Sequence, residues 1–146
     1  MDLRGRLMDV CQVPFNQLIG LEPEDTASGL LISLPESPRY QNHLGTIHGS
    51  ALLAVAEAGS GVFLLRHFGQ WQGFVPVVRR LEAKFRRPAS GRISSRCSIP
   101  REVADRWSSE LMARGRVSAS IPIEVIDSKS VVVVSAAVEW FITRIS

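Results

Sequence analysis

The sequence has few of the residues that mark metal-binding, disulfide-rich or disordered proteins. Its two cysteines, Cys11 and Cys97, lie far apart and match no metal-ligand or redox spacing. Only 21% of the residues are charged and 45% are hydrophobic, which argues against a disordered chain. No basic and apolar leader with a small-residue cleavage site opens the sequence. We therefore expect a cytoplasmic protein with free thiols, no metal and no cofactor.

Internal repeats, low-complexity runs and linker-like stretches are also missing. A chain of 146 residues fits one domain. At that length roughly 68–70% of the unfolded surface is buried, which is enough for a proper core. We expect a single domain over residues 1–146.

Positive charge is unevenly distributed, although the net charge is only +3. A basic band comprises Arg79, Arg80, Lys84, Arg86 and Arg87. Nucleic-acid-binding surfaces usually interleave aromatic residues or place the charges along a helix, and this band contains one aromatic residue. We expect no nucleic-acid partner. The band is either a solvated strand face or a site for phosphate groups of a small ligand.

Hydrophobic periodicity predicts an α+β protein. Helices are expected near the N-terminus, where Leu3, Leu7 and Val10 recur at helical spacing, and over 49–68 and 100–115. Predicted strands cover 26–34, 74–87, 93–99, 116–126 and 131–143. Short hairpins favour an antiparallel sheet, and a helix that is apolar on most faces must be enclosed. An antiparallel sheet curled around that central helix meets both requirements.

One acidic residue stands out in the long helix. Glu57 is the sole charged residue from Gly49 through Leu65. A carboxylate in apolar surroundings is costly to ionise and should have a raised pKa, as catalytic bases often do. Two other interpretations are a membrane span, which a central charge and insufficient length disfavour, and a structural glutamate at a subunit interface.

The start of the same helix predicts a site for negative charge. The helix begins near His48 and Gly49, and the first backbone N–H groups of a helix have no partner within it. A substrate carbonyl placed there would have its developing oxyanion stabilised.

These residues resemble a motif of hotdog-fold thioesterases of the phenylacetate-pathway type. Asn42, Gly49 and Glu57 keep that family's spacing of seven and then eight residues, and His48 precedes the glycine. Residues 14–21 and 85–89 are similar to the family's entry segment and to its strand end after the helix. The resemblance implies a hotdog fold, in which a curled antiparallel β-sheet wraps a long central α-helix.

The resemblance also implies roles for individual residues. Glu57 would be the general base for water, or a nucleophile that forms an acyl anhydride. The Gly49 N–H would polarise the thioester carbonyl, with His48 and Asn42 positioning it or the water. Ser50 is a further predicted substrate contact.

The basic band supplies candidate contacts for a CoA ester, whose phosphates need cations. These candidates are Arg79, Arg86 and Arg87. Because side chains alternate across a strand, Phe85 is predicted on the core side of the strand over 74–87, and Arg79 has the same parity.

Partners follow from the same resemblance. The substrate would be an acyl-CoA or an acyl-carrier-protein thioester, and no membrane is expected. The site would form across the interface of a homodimer, which can pair further into a tetramer, with the acid from one chain and the glycine and asparagine from the other. Val78 departs from relatives that carry a hydroxyl at this position, and the predicted helix over 101–115 is longer than the plain family pattern.

Two other functions fit parts of the sequence. His43 and Glu57 are fourteen residues apart, as in hotdog hydroxyacyl dehydratases, but Leu44 and Gly45 stand where those proteins carry Phe-Pro. A non-catalytic acyl-thioester binding protein is the other alternative. Val78 supports it, whereas the lone carboxylate in the helix argues against it.

Overall fold

Six antiparallel strands form one sheet that curls around the longest helix. A computed structural model describes residues 9–68 and 73–145 of the chain. The helices are α1 (Pro14–Ile19), α2 (Gly49–Phe68) and α3 (Arg101–Arg114). The strands are β1 (Glu22–Pro23), β2 (Ile32–Leu34), β3 (Phe74–Phe85), β4 (Ile93–Arg96), β5 (Arg116–Ile126) and β6 (Val132–Arg144). Their order in the sheet is β1-β2-β4-β5-β6-β3, so the expected α+β, curled-sheet architecture is confirmed.

The long strands β5 and β6 form the centre of the sheet. Buried and exposed residues alternate along almost all of β5, because successive side chains point to opposite faces of a strand. The buried face is β-branched or small, from Val117 through Val125. Asp127 closes the hairpin, since its Oδ1 accepts hydrogen bonds from the N–H groups of Lys129 and Val131. Helix α2 packs against the buried face of these two strands.

Helix α2 lies against β2 through β6. It has 20 residues and a mean hydropathy of 1.3, values that a membrane-spanning helix also has. Within the described part of the chain, its apolar faces contact the sheet through Leu52, Val55 and Leu64, each at most 3% exposed. The structure thus makes α2 the core helix of the sheet, as its apolar composition predicted.

The N-terminal region differs from the prediction. Leu3 and Leu7, which suggested a helix before Pro14, lie outside the described residues. Val10–Gln12 form a short 3-10 turn, and α1 begins at Pro14 rather than ending before it. Proline suits the first position of a helix because its missing N–H would have no partner there.

The prediction of a strand over 26–34 is also wrong for its first half. Thr26–Ser28 form a 3-10 turn, which Asp25 caps by accepting a hydrogen bond from the N–H of Ala27. Gly29 follows in the left-handed conformation, so pairing starts only at Ile32. Local side-chain-to-backbone bonding therefore outcompetes strand formation at these residues.

Strand β3 forms one edge of the sheet. Among the described strands it pairs with β6 alone. On this edge Val77 and Val78 are 48% and 39% exposed, although natural proteins usually avoid exposed apolar residues on an open edge strand.

The helix predicted over 100–115 is confirmed as α3. It packs on β5 through Ala104 and Leu111 and ends at Gly115, which is in the left-handed conformation.

Close packing of α2 on the sheet depends on Gly59. A Cβ atom at this position would lie 2.2 Å from Ser95 Oγ and 2.8 Å from Ser95 Cβ on β4. Rotation of the hydroxyl relieves the first contact but not the second. Any larger residue therefore has to push the helix away from β4.

We predict that Gly59→Ala lowers the free energy of unfolding by about 1–3 kcal/mol, the usual cost of overpacking a core. Urea unfolding checks this. Gly61→Ala is the matched control, because its Cβ would meet nothing closer than 3.7 Å, and alanine favours a helix over glycine. Equal loss in both variants, or none in Gly59→Ala, contradicts the packing argument.

Candidate functional site

Glu57 lies half-buried at the middle of α2. Within residues 9–68 and 73–145, no hydrogen bond or ion pair reaches its carboxylate. Burial is the cause that raises the pKa of the Glu57 carboxyl above its ordinary value. The raised pKa expected from the apolar sequence around Glu57 is therefore present in the folded chain, and its cause is loss of water rather than a neighbouring charge.

The face of α2 that carries Glu57 is the least covered part of the helix's first three turns. Ser50, Leu53, Ala54 and Glu57 share this face because they are spaced at three, four and seven residues. Ser50 is exposed and the other three are partly buried. The opposite side of these turns is closed by the sheet, as Val55 and Ala56 show. Glu57 thus points to the side of α2 that the sheet leaves open.

The first turn of α2 presents backbone N–H groups in the manner predicted. The Nδ1 atom of His48 accepts a hydrogen bond of 3.0 Å from the Ser50 N–H, so His48 caps the helix. The Gly49 N–H has no acceptor among the described residues. The structure therefore places His48 as a cap beside a free Gly49 N–H, and Ser50 contributes its backbone to that cap.

Phe85 is a residue of this region whose position the sequence did not reveal. A Cβ atom on Gly49 would lie 3.4 Å from Phe85 Cε1, and yet the ring is 52% exposed. Phe85 ends β3 on the side of the sheet that faces α2. The predicted alternation along β3 assigned that side correctly, but only the fold brings the ring to the start of the helix.

Asn42 organises the loop before α2. Its Oδ1 accepts hydrogen bonds from the N–H groups of Leu44 and Thr46, at 2.8 and 3.2 Å, and its Nδ2 donates to Thr46 Oγ1. The side chain is therefore engaged within its own loop. His43, the alternative catalytic residue, is exposed in the same loop.

Arg79 and Arg86 of the basic band point to the far side of β3. The guanidinium carbon of Arg79 lies 4.9 Å from the centroid of the Phe141 ring, and Arg86 Nε donates a hydrogen bond to Ser135 Oγ. Phe141 and Ser135 alternate with buried neighbours, so both belong to the face turned away from α2. Arg79 was predicted to share the core side of the strand; a bulge between Val78 and Arg80 reverses it.

Glu57 and Gly49 of one chain are well separated. Eight residues at 1.5 Å each place their Cα atoms about 12 Å apart along the helix. A glutamate side chain spans only part of that distance. The two groups predicted to act on one carbonyl are thus not brought together within a single chain.

The described residues contain no group of three or more His, Cys, Asp or Glu side chains that could hold a metal ion. Both cysteines are free and partly buried, and burial raises the pKa of Cys97 to about 11. A thiol held in its neutral form is a poor nucleophile and a poor metal ligand.

The architecture is that of the hotdog fold, and solved structures of similar shape support this. A Pseudomonas aeruginosa protein of unknown function, PA5026, described as a probable thioesterase, has a TM-score of 0.76 and 24% identity over 92% of this chain and 91% of its own. OLEI01261 of Chlorobaculum tepidum, of unknown function, has a TM-score of 0.77 and 22% identity, covering 91% and 88%. BH2602 of Bacillus halodurans, solved with CoA, has a TM-score of 0.65 and 17% identity, covering 88% and 74%.

The sequence itself belongs to the family described as a domain of unknown function, DUF4442, which matches residues 10–142. No curated protein matches the sequence. The structural neighbours therefore establish the fold, and among them are proteins described as thioesterases.

The raised pKa of Glu57 predicts a pH-dependent stability. The folded chain binds the Glu57 proton more tightly than the unfolded chain, so this contribution is present below the unfolded pKa and is lost as pH rises through the folded pKa. Glu57→Gln should match the parent protein in acid and exceed its free energy of unfolding at neutral pH.

Urea unfolding of both proteins from acid to neutral pH checks this prediction. Glu102→Gln, on the exposed side of α3, serves as the control for loss of a carboxylate. A stability difference between Glu57→Gln and the parent that does not grow with pH contradicts the prediction.

Proposed function

We propose that this protein hydrolyses acyl thioesters, with Glu57 as the general base and the Gly49 N–H in the oxyanion hole. The observation that carries the proposal is the half-buried, unpaired Glu57 carboxylate on the helix whose first turn presents a free N–H. Such a carboxylate lowers the stability of the folded chain, and a catalytic role would account for its presence. Neighbours of the same fold that are described as thioesterases support the class of reaction.

The proposed chemistry needs one carboxylate and no cofactor. Glu57 takes a proton from water as the water oxygen attacks the thioester carbonyl, and the oxyanion forms against the Gly49 N–H. Collapse of the intermediate breaks the C–S bond, and the Glu57 acid returns the proton to the leaving sulfur. The products are a carboxylic acid and a free thiol. A raised pKa suits both transfers, because the acid form must be accessible near neutral pH.

We infer that the working site is formed by two chains. The distance of about 12 Å along α2 prevents one chain from supplying both groups. The uncovered helix face and the open β3 edge, with Val77 and Val78 exposed, give a second copy apolar surface to bury. In a symmetric dimer, Glu57 of one protomer would lie opposite the Gly49 turn of its partner. Asn42 would then act by shaping the loop that delivers His48 and Gly49.

Acyl-CoA is the substrate class that we propose for this site. BH2602, of the same fold, was solved with CoA. CoA carries a pyrophosphate and a 3′-phosphate, which require cations at the mouth of a site. Arg87 is exposed and adjoins the end of β3 next to Phe85, and Arg86 lies beside it. Arg87 would be the better placed of the two for a ligand that enters past Phe85 toward Gly49. Arg86 would have to leave Ser135, on the opposite face of the sheet, to reach the same ligand.

A second candidate function is acyl-thioester binding without turnover. Val78 favours it. Val78 pairs with Trp140, on the face of the sheet that looks toward α2, and it provides no hydroxyl to hold the attacking water. Glu57 would then serve to orient the acyl group. Turnover measurements separate the two functions.

We predict that Glu57→Gln folds but loses about 10²–10⁴ in thioesterase kcat, the usual contribution of a general base. Gly49→Pro should lose about 10²–10³, because it removes one oxyanion-hole donor at a helix position that tolerates proline. Gly49→Ala is its control, since it adds a Cβ and keeps the N–H. Kinetics on acyl-CoAs of short, medium, long and aromatic acyl groups check these values.

Mixing the two inactive variants tests the shared site. A heterodimer of Glu57→Gln and Gly49→Pro chains keeps one intact pairing, so a statistical mixture should recover about one quarter of the parent activity. If each chain held a complete site, the mixture would stay inactive. Parent-like kcat in Glu57→Gln would contradict the catalytic role itself.

We also predict that neutralising Arg86 and Arg87 together raises KM for acyl-CoA and leaves kcat nearly unchanged, since these charges bind a part of the substrate that does not react. The salt dependence of KM should flatten, because exposed charges are screened over about 8–10 Å at ordinary ionic strength. Neutralising Arg101 and Arg106 on α3 is the control. An unchanged KM in the Arg86 and Arg87 variant removes these residues from the CoA site.

A further inference from the structure

The turn of α2 that carries Glu57 is tied to the sheet by a two-step hydrogen-bond relay. The Nε1–H of Trp140 on β6 donates to Ser60 Oγ at 2.8 Å. Ser60 Oγ in turn donates to the backbone carbonyl oxygen of Glu57 at 2.6 Å. Ser60 is completely buried. The relay therefore joins a strand in the centre of the sheet to the peptide group of the proposed base.

The chemistry of the three groups fixes the direction of this relay. An indole N–H is a donor only, so the Ser60 oxygen must act as its acceptor. The single hydroxyl proton is then free to point at the Glu57 carbonyl. Linked hydrogen bonds of this kind strengthen one another in a low-dielectric interior. A reversed arrangement would leave the indole N–H without a partner.

Residues on either side of Ser60 allow the helix to approach. Gly59 makes room for Ser95 of β4, as described above. Gly61 lies under the indole, and a Cβ there would be 3.7 Å from Trp140 Cζ2. The Gly-Ser-Gly sequence thus places two sheet strands against successive positions of one helical turn. No other serine of α2 has a hydrogen bond to the sheet among the described residues.

We propose that Ser60 and Trp140 are positioning residues that hold the Glu57 turn of α2 against β6 for thioester hydrolysis. This inference rests on the proposed function of Glu57. The relay fixes the Glu57 backbone, and hence the origin of its side chain, relative to the sheet. We expect the Ser60 hydroxyl dipole, which is directed at the Glu57 carbonyl, to favour the anionic form of the Glu57 carboxyl group.

The first test is kinetic. Ser60→Ala should lower kcat roughly ten- to a hundredfold at unchanged KM, since small displacements of a catalytic group cost up to about 10² in rate. The acid limb of its pH–rate profile should move to higher pH, because loss of the hydroxyl dipole disfavours the anionic carboxylate. Ser60→Thr keeps the hydroxyl, so its kcat and pH–rate profile should be close to those of the parent protein. Trp140→Phe removes the indole donor and should show part of the kcat decrease seen in Ser60→Ala.

Ser33→Ala is the matched control. Ser33 is also fully buried, and its hydroxyl bonds to Ser94 and Glu24 rather than to α2. A Ser60→Ala enzyme with the kcat and pH profile of Ser33→Ala overturns the inference. So does a loss that Ser60→Thr does not repair, because that loss would reflect packing alone.

A spectroscopic test does not require turnover. The indole N–H resonance of Trp140, identified by its loss in Trp140→Phe, should shift as Glu57 titrates in the parent protein. The shift should vanish in Glu57→Gln and in Ser60→Ala. If the parent hydrolyses no thioester, the proposed function fails and this measurement decides the relay alone. A Trp140 resonance that is insensitive to Glu57 ionisation would contradict the relay whether or not the protein is an enzyme.

Discussion

The structure depends on the need to bury a helix that is apolar on almost every face. Helix α2 cannot be stable in water, and one curled sheet covers it only from one side. Leu52, Val55 and Leu64 contact the sheet, whereas Leu53 and Ala54 are only partly covered. Burial of each large apolar side chain contributes about 1.5–3 kcal/mol, so the uncovered face represents stabilisation that a further partner can supply. The proposed dimer follows from the same constraint as the fold.

That constraint also sets the properties of the carboxylate. Glu57 lies on the face of α2 that the sheet leaves open but that is still partly buried, so its carboxylate is desolvated without being enclosed. A fully buried, unpaired carboxylate would be protonated at all physiological pH values, and an exposed one would be an ordinary weak base. Between these extremes, burial raises the pKa of the Glu57 carboxyl above its ordinary value, which is the direction that brings the proton affinity of a general base toward the pH at which it works.

Hydrophobic periodicity correctly predicted the helices and strands that bury one face. It gave wrong predictions where local side-chain hydrogen bonds or a strand bulge determine the backbone conformation. The alternation of β5 and the spacing of Val103, Trp107 and Leu111 in α3 needed no tertiary information. Thr26–Ser28 were mistaken for strand because Asp25 captures a backbone N–H there. The side of Arg79 was misassigned because a bulge carries no signature in a single sequence.

The candidate site shows the same division. Glu57 was singled out as the lone charge in an apolar helix and Gly49 as the start of that helix, which are local properties, and the family resemblance supplied their roles. The small residues of the Gly-Ser-Gly sequence after Glu57 allow another element to approach closely, but the sequence does not identify that element. Trp140 is eighty residues away from Ser60, and its role depends on the register of β6.

An acyl group that is only bound places fewer demands on a protein than one that is hydrolysed. Binding an apolar chain requires only an apolar surface, which Leu53, Ala54 and Phe85 already offer. A desolvated acid beside that surface weakens such binding unless it acts on the bound group, because it must be stripped of water each time a ligand arrives. The relay from Trp140 also ties the Glu57 backbone to the sheet through a buried hydroxyl, which a surface that only excludes water does not require. A rigidly held carboxylate is instead what a reaction requires, where the general base must stay within hydrogen-bonding reach of the attacking water.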